Sequence, residues 1–417
     1  MLKKLILENW KSFRYAELYF DPLTVLIGTN ASGKSNLVEA LEFLRRMATG
    51  ETVDVALNGD RALPPIRGGS QVAILNNEID LTLSLIIQDK QQVEYSYCMS
   101  LDVLTESFEI NLENIKWKGL DNELNNEIEI SRINNDQKSG LATNENFLYS
   151  KEMIDNTKIS DFPLGTQFNA ELSKHKQNKL LSLKPEIKKV VCEQLKSIFI
   201  VDPIPQKIRD FSRLSEQLEQ DASNIAGVLA ALPDEQKAEV EATLSHYLEH
   251  FPEGDIKKIW AEKVGRLGTD AMLYCQEEWQ PGQITEIDAR SMSDGTLRLL
   301  GILTALLTRP EGSLIVIEEI DNGLHPSRAE LLVKILREIG TKRKIDLLIT
   351  THNPALLDAL GPEIIPFVTV VHRDAETGES KLTLLEDIEN LPKLLATGSL
   401  GQLATKGTIE KTLAKSI

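Results

Sequence analysis

Apolar and polar positions alternate at the start of the chain. LKKLILENW, AELYF and PLTVLIG each predict a strand. The third leads into a glycine-containing turn, GTNASGKS, and a helical run, NLVEALEFLRRMA, giving strand, phosphate-type loop and helix. Residues 51–70, including RALPPIRGGS, predict an irregular connection. From 71 to about 135, QVAILN, IDLTLSLIIQ, VEYSYCMSL, SFEINLENIKW and EIEISRI predict short antiparallel strands, with DNELNNE and RINNDQ as hairpin tips or loops. From about 165 to 275 the apolar spacing becomes three to four residues. It predicts helices in KPEIKKVVCEQLKSIF, SRLSEQLEQDASNIAGVLAAL and PDEQKAEVEATLSHYLEHF.

After 285 an α/β rhythm returns. DGTLRLLGILTALLT reads as helix, SLIVIEE as strand, RAELLVKILREIGTK as helix and IDLLITT as strand. PALLDAL follows as helix, then FVTVVHR and KLTLLED as strands. The expected organisation is an α/β unit split into two chain segments, 1–50 and 286–417. A β-rich arm (51–165) and a helical insertion (166–285) separate them.

Composition narrows the class. The chain has 417 residues, 41% hydrophobic and 26% charged, ordinary for a globular protein with more than one lobe. No apolar run approaches the ~18 residues of a membrane helix, and MLKKLILENW is too short a stretch for a signal peptide. Cys98, Cys192 and Cys275 lie far apart, which argues for a reducing compartment and against a disulfide framework or a zinc site. A cytoplasmic protein without a membrane partner is expected. The 46 basic and 63 acidic residues give a net charge of −17, which disfavours a surface that tracks nucleic acid throughout. A local contact stays open at 174–189, KHKQNKLLSLKPEIKK, where a solvated helix face is favoured over DNA binding.

The most specific motif runs from Gly28 to Ser35 and matches G-x-x-x-x-G-K-[ST]. Its glycines let the backbone curl N–H groups toward phosphate oxygens. Lys34 supplies a point charge to the β- and γ-phosphates, Ser35 a hydroxyl for Mg²⁺, and the next helix its positive end. Gly28, Asn30, Ser32, Gly33, Lys34, Ser35 and Asn36 form the expected nucleotide-binding set.

Residues 314–321, LIVIEEID, place two carboxylates where a buried strand emerges. Such an acid beside a phosphate loop belongs on the Mg²⁺ shell, so Glu318 is expected with Ser35 at the metal. Glu319 is then positioned to orient or deprotonate the attacking water, although either glutamate alone has a structural reading as a strand cap. LLITTHNP ends a third strand in hydroxyls and His352, expected near the γ-phosphate or the attacking water. Trp260 and Trp279, in the insertion, are expected in the core rather than as base-stacking platforms. DPIP and KIRDFS, at 202–205 and 207–212, read as a recognition surface or as a tight turn with a salt bridge, and the turn is favoured.

These motifs resemble the ATPase heads related to ABC transporters, in the branch of structural-maintenance-of-chromosomes, RecF and overcoming-lysogenization-defect proteins. Within it the chain is similar to compact bacterial AAA-type ATPases of phage-defence gene pairs. SMSDGT (291–296) resembles the ABC signature, which implies that Ser293 and Gly295 contact the γ-phosphate held by a second subunit. DNGLHP (321–326) occupies the place of the dimer-contacting D-loop, and LKKLILENWKSF resembles the opening strand, implying that Lys11 and Ser12 lie near the nucleotide. The sequence departs from the family pattern at Glu318, usually aspartate, and at Asp294 and Thr296, usually glycine and glutamine. Asp294 is tolerable near a phosphate only if it points away or pairs, with Arg290 or Arg298 as candidates. Gln71 is a weak candidate for the Q-loop glutamine.

The resemblance implies a P-loop NTPase of the ABC-head type that uses ATP and Mg²⁺, with Glu319, His352 and Lys34 catalytic. It implies a homodimer, or a higher oligomer, closed by an ATP sandwich, and a separately encoded, nuclease-like effector in antiphage defence. The insertion is too short for a long coiled coil, and the 65 residues (417 − 352) after His352 are too few for a fused Toprim nuclease. The rival readings are a RecF-like DNA-repair ATPase that clamps DNA and a scaffold that binds ATP but barely hydrolyses it. A transporter ATPase fits least. The segment LPKLLATGSLGQLATKGTIEKTL is left open between a partner-docking surface and a helical cap.

Overall fold

The computed structural model of the chain describes residues 1–75, 78–103, 108–118, 127–133, 186–250, 255–322, 328–389 and 391–413. Most of both asparagine-rich patches, 174–185 of the lysine stretch and 323–326 of the D-loop motif lie outside the described residues. The chain divides into two compact units. One holds Met1–Tyr19, Glu39–Ile198 and Glu379–Lys381; the other holds Phe20–Val38, Phe199–Gly378 and Leu382–Ile417.

The first unit is built on one antiparallel sheet. With strands numbered in chain order, it contains β1 (Leu2–Trp10), β2 (Phe13–Tyr19), β4 (Asp80–Gln88), β5 (Glu94–Val103), β6 (Phe108–Lys118) and β7 (Glu127–Ile133). Their order is β2-β1-β4-β5-β6-β7, so the opening strands share a sheet with the arm strands. Period-two patterning explains it: β4 buries Leu81, Leu83, Leu85 and Ile87 and half-exposes the residues between them. Thr82 and Ser100 meet across the pair at 2.9 Å. The strand expected at QVAILN is absent. Gly68 and Gly69 take φ of 80° and 55°, curling the chain into a 3₁₀ turn, Gly69–Val72, and leaving Gln71 exposed on that turn.

The second unit carries a six-stranded sheet. Its strands are β3 (Leu23–Ile27), β8 (Ile198–Val201), β13 (Leu314–Ile317), β14 (Asp346–Thr350), β15 (Val368–Arg373) and β16 (Ser380–Leu384). The order is β16-β15-β3-β14-β13-β8, and β15, β3, β14 and β13 run parallel. Every residue of β3, β13 and β14 is buried, as parallel strands require. Helices Asp294–Thr308 and Ala329–Arg343 add aliphatic side chains to the same core, each fully buried one contributing roughly 1.5–3 kcal/mol.

The insertion departs from the helical expectation. SRLSEQLEQDASN is largely irregular, with a helix only from Ile225 to Ala231. Beyond the helix Asp234–Glu249, the chain forms β10 (Ile256–Val264), β11 (Asp270–Gln280) and β12 (Gln283–Asp288), with β9 (Ser212–Arg213) pairing to β11. IKKIWAEKV keeps a helix-like apolar spacing, but tertiary pairing overrides it. Helix Asp234–Glu249 also serves the free edge of β10. Ser245 Oγ accepts from the Ile259 N–H at 2.9 Å, and a Glu241 oxygen accepts from the Ala261 N–H at 2.8 Å. Trp260 and Trp279 are not core residues. Trp279 is 74% exposed, and Trp260 is half-buried, stacked on Tyr274 at 5.8 Å.

The residues at 391–413 form short helices that cap Pro354–Leu360. Ser399 and the Gly401 N–H donate to Asp358 at 2.9 and 2.8 Å. Helix Asp294–Thr308 packs tightly on the loop after β8: a Cβ at Gly301 would lie 2.7 Å from Pro203 Cβ and Cγ. Gly301→Val should lower stability by about 1–3 kcal/mol through overpacking, read as a lower denaturant midpoint at unchanged m.

Candidate functional site

The parallel register decides which chain segments meet. Thr350 pairs with Leu26 across β14 and β3, and Ile349 with Ile317 across β14 and β13. The three strands therefore end at one edge of the sheet, where 28–35, 318–322 and 351–353 emerge. Ligands of open α/β sheets bind at such carboxyl ends.

The phosphate loop is shaped by backbone conformations that side chains rarely adopt. Gly28 has φ 146°, Ala31 62° and Gly33 120°. A Cβ on Gly28 would lie 2.1 Å from the Val371 carbonyl oxygen, so β15 excludes any larger residue. Arg373, at the end of β15, donates to the Ala31 carbonyl at 3.0 Å and braces the loop tip. Lys34 folds back on its own loop, donating to the carbonyls of Gly28 at 2.6 Å and Thr29 at 2.9 Å. Burial pushes the Lys34 ammonium below its usual range, opposed by the carboxylates of Glu319, Glu410 and Glu318. Asn30 lies at the loop's turn, Ser32 is buried within it, and Asn36 donates its N–H to the Gly33 carbonyl at 3.0 Å as the helix begins.

The acidic strand end meets this loop. Ser35 Oγ donates to Glu318 Oε2 at 2.7 Å across 283 residues of sequence. Glu319 is exposed and held in the left-handed region at φ 46°. Its N–H donates to Thr350 Oγ1 at 2.8 Å, and the next N–H, of Ile320, to the Thr350 carbonyl at 3.2 Å. A non-glycine residue in that region costs about 1–3 kcal/mol, and strain of this kind concentrates at working sites. Thr351 Oγ1 donates to Asp321 at 2.5 Å, fixing the start of the D-loop motif, and His352 follows as an exposed side chain. Among the described residues no cluster of three or more His, Cys, Asp or Glu could hold a metal alone. A hydroxyl and one carboxylate oxygen at 2.7 Å nonetheless fit a magnesium ion that also takes oxygens from phosphates.

The signature segment is built differently from expectation. Ser293 caps helix Asp294–Thr308, its Oγ accepting from the Thr296 N–H at 3.1 Å, and Gly295 lies in the first turn. Asp294 pairs with neither Arg290 nor Arg298, because both are engaged elsewhere. Arg290 forks onto Asp288, and Arg298, 8% exposed, binds Asp202 at 3.1 Å and the Pro203 and Glu318 carbonyls at 3.2 and 3.4 Å. The partner of Asp294 is Arg209, from the stretch expected to form a tight turn with a salt bridge; its ion pair reaches out of that turn to the signature segment. Arg209, Arg373 and Glu410 are functional-site neighbours that no motif announces. Lys11 and Ser12 belong to the first unit. Lys11 Nζ donates to Glu39 at 2.6 Å and to the Arg67 carbonyl at 2.8 Å, and buried Ser12 meets Ser380 Oγ at 2.8 Å.

Residues 23–358 match the AAA_21 family, described as "AAA domain, putative AbiEii toxin, Type IV TA system". The chain belongs to that family. The match spans the phosphate loop, the signature segment and the acidic strand end, and together with the Smc and RecF relatives it puts this AAA_21 chain in the SMC and RecF branch of ABC-like ATPases. The chain is similar to the chromosome partition protein Smc of Halothermothrix orenii, 28% identical over 233 residues, covering 52% of this chain and 19% of Smc. The DNA replication and repair protein RecF of Acidothermus cellulolyticus is 37% identical over 79 residues, 19% of each chain. The AAA_21 chain thus spans about a fifth of the length of the curated relatives it matches. Among solved structures, the SMC head domain from Thermotoga maritima is 16% identical with a TM-score of 0.42, covering 92% of this chain and 98% of that one. An SmcHead bound to the C-winged helix domain of ScpA is 11% identical with a TM-score of 0.48, covering 92% and 96%. Among the described residues no helix of this family member is long and apolar enough to cross a membrane.

Gly28→Ala should abolish detectable binding of a fluorescent ATP analogue, because the added methyl meets a backbone carbonyl. Gly312→Ala is the control: it has positive φ and nothing within 4 Å of its Cβ, and should bind as the parent does.

Proposed function

We propose that this chain is a magnesium-dependent ATPase whose ATP-bound copies pair and so control a separately encoded effector, in bacterial antiphage defence. The contact between Ser35 and Glu318 at the mouth of the phosphate loop carries this reading. The family description, with its AbiEii toxin and toxin–antitoxin terms, supports the defence setting.

On this reading, the backbone N–H groups of 28–35 and the Lys34 ammonium bind the triphosphate. Ser35 and Glu318 would hold a magnesium ion, which would supply neutralisation of phosphate charge. Glu319 orients a water for in-line attack on the γ-phosphorus and accepts its proton as the new P–O bond forms. The bond to the β-phosphate oxygen then breaks. Thr350 keeps Glu319 aimed through the Glu319 N–H, and His352 sits beside this path as the γ-phosphate contact. Ser293 and Gly295 act across the pair on the triphosphate of a second copy, with the D-loop alongside. The effector is nuclease-like.

Relatives named for chromosome partition and for DNA replication and repair favour a second reading, an ATP-dependent DNA clamp. Turnover stimulated by duplex DNA and falling steeply with salt would select it.

Glu319→Gln should cut single-turnover hydrolysis by ~10²–10⁴-fold, the usual contribution of a general base, while leaving ATP bound. Mass measurement should then show a dimer that forms only with ATP. Rapid hydrolysis by the variant, or a monomer at saturating ATP, would overturn the proposal.

A further inference from the structure

Arg209 makes a concentrated set of contacts. It caps the short helix Pro205–Ile208 that follows β8. One of its terminal nitrogens, Nη1, donates to three backbone carbonyls of one turn: Ala289 at 3.2 Å, Arg290 at 3.0 Å and Met292 at 2.7 Å. The other, Nη2, donates to the carboxylate of Asp294. Ser293 is thus bracketed, its preceding carbonyl and its following side chain both tied to one guanidinium.

Three carbonyl dipoles converging on one point repel one another unless a cation sits there. A planar guanidinium can serve this cage and a carboxylate together, whereas an ammonium lacks the fixed fork. The turn's own backbone bonds are few: the Ser291 N–H to Asp288 at 3.0 Å and the Met292 N–H to Ala289 at 3.3 Å. Asp294 is 59% exposed, so without Arg209 it would add an uncompensated negative charge beside the signature serine.

We infer that Arg209 is a positioning residue that holds the signature turn in shape and neutralises Asp294, so that a second copy's triphosphate can dock there. The inference rests on the sandwich reading above, and it assigns Arg209 to association between copies rather than to nucleotide binding within one.

The test uses the full chain in the Glu319→Gln background with ATP and magnesium. Adding Arg209→Ala should raise the dimer dissociation constant about 10- to 100-fold, the range for losing a charged hydrogen bond, while ATP-analogue affinity of the monomer stays within about twofold. Arg209→Lys should fall between. Asp294→Asn added to Arg209→Ala should recover part of the loss, a rescue that a purely structural staple would not give. Hydrogen exchange in the ATP-free protein is the second measurement. Arg209→Ala should speed exchange at 289–297 and leave 28–38 unchanged.

Association as tight as the parent's, or an equal loss of monomer ATP binding, would overturn the inference. Unchanged exchange at 289–297 overturns the holding role whatever the dimer does. A parent that ignores ATP instead sinks the sandwich reading and the predicted effect on association, and exchange then decides the holding role alone.

Discussion

The 2.7 Å contact between Ser35 Oγ and Glu318 depends on strand register. It requires β3, β14 and β13 to lie side by side, parallel and in phase, so that three loops leave one edge together. A slip by one residue would rotate the acids to the opposite face of the sheet. Complete burial of the three strands prevents it, because any slip drives charged neighbours into an aliphatic core. The chemistry at the edge is thus held by hydrophobic packing well away from it.

Two of the polar groups buried in this unit join the site's segments to one another. Arg298 is nearly buried, yet it joins the helix behind the signature segment to Asp202 and to the carbonyl of Glu318. A buried guanidinium needs several acceptors to offset its desolvation, and they come from two separate stretches of chain, 202–203 and 318. The signature helix and the acidic strand end are therefore tied through one side chain. Thr350 plays a similar part by holding the strained Glu319 backbone. Removing such a partner would leave a buried donor or acceptor unmet, which is costlier than losing a surface contact.

Residues 212–288, running just past the expected end of the insertion, build a second, antiparallel sheet with its own helical cover in the same unit as the phosphate loop. Its edge is satisfied by helix side chains rather than by a further strand. Arg209 lies between β8 and β9, so the turn it holds is reached from this inserted region. Membership of an AAA family and the geometry of the loop point the same way, and the inserted region supplies the arginine that contacts the signature segment.

Local signals sufficed where chemistry and periodicity agree. The phosphate loop, the buried strands LTVLI, LIVI and DLLIT, and the arm strands β4 to β7 were legible because a loop needing glycine, a short run with an aliphatic centre between turn signals and a period-two alternation each fit their neighbours in the chain. The strands β10 and β11 were not, since IKKIWAEKV and DAMLYCQEEW satisfy helical spacing as well, and only pairing with neighbours selects the extended form. Ion-pair partners were least legible. Asp294 had two arginines within four residues, yet its partner stands 85 positions away, because a salt bridge depends on distance in space. The sequence alone set out the glycine-rich loop and the paired acids as candidates for phosphate and metal; the tertiary structure decided which of them meet, and which arginine reaches the signature turn, because meeting depends on strand register and distance in space.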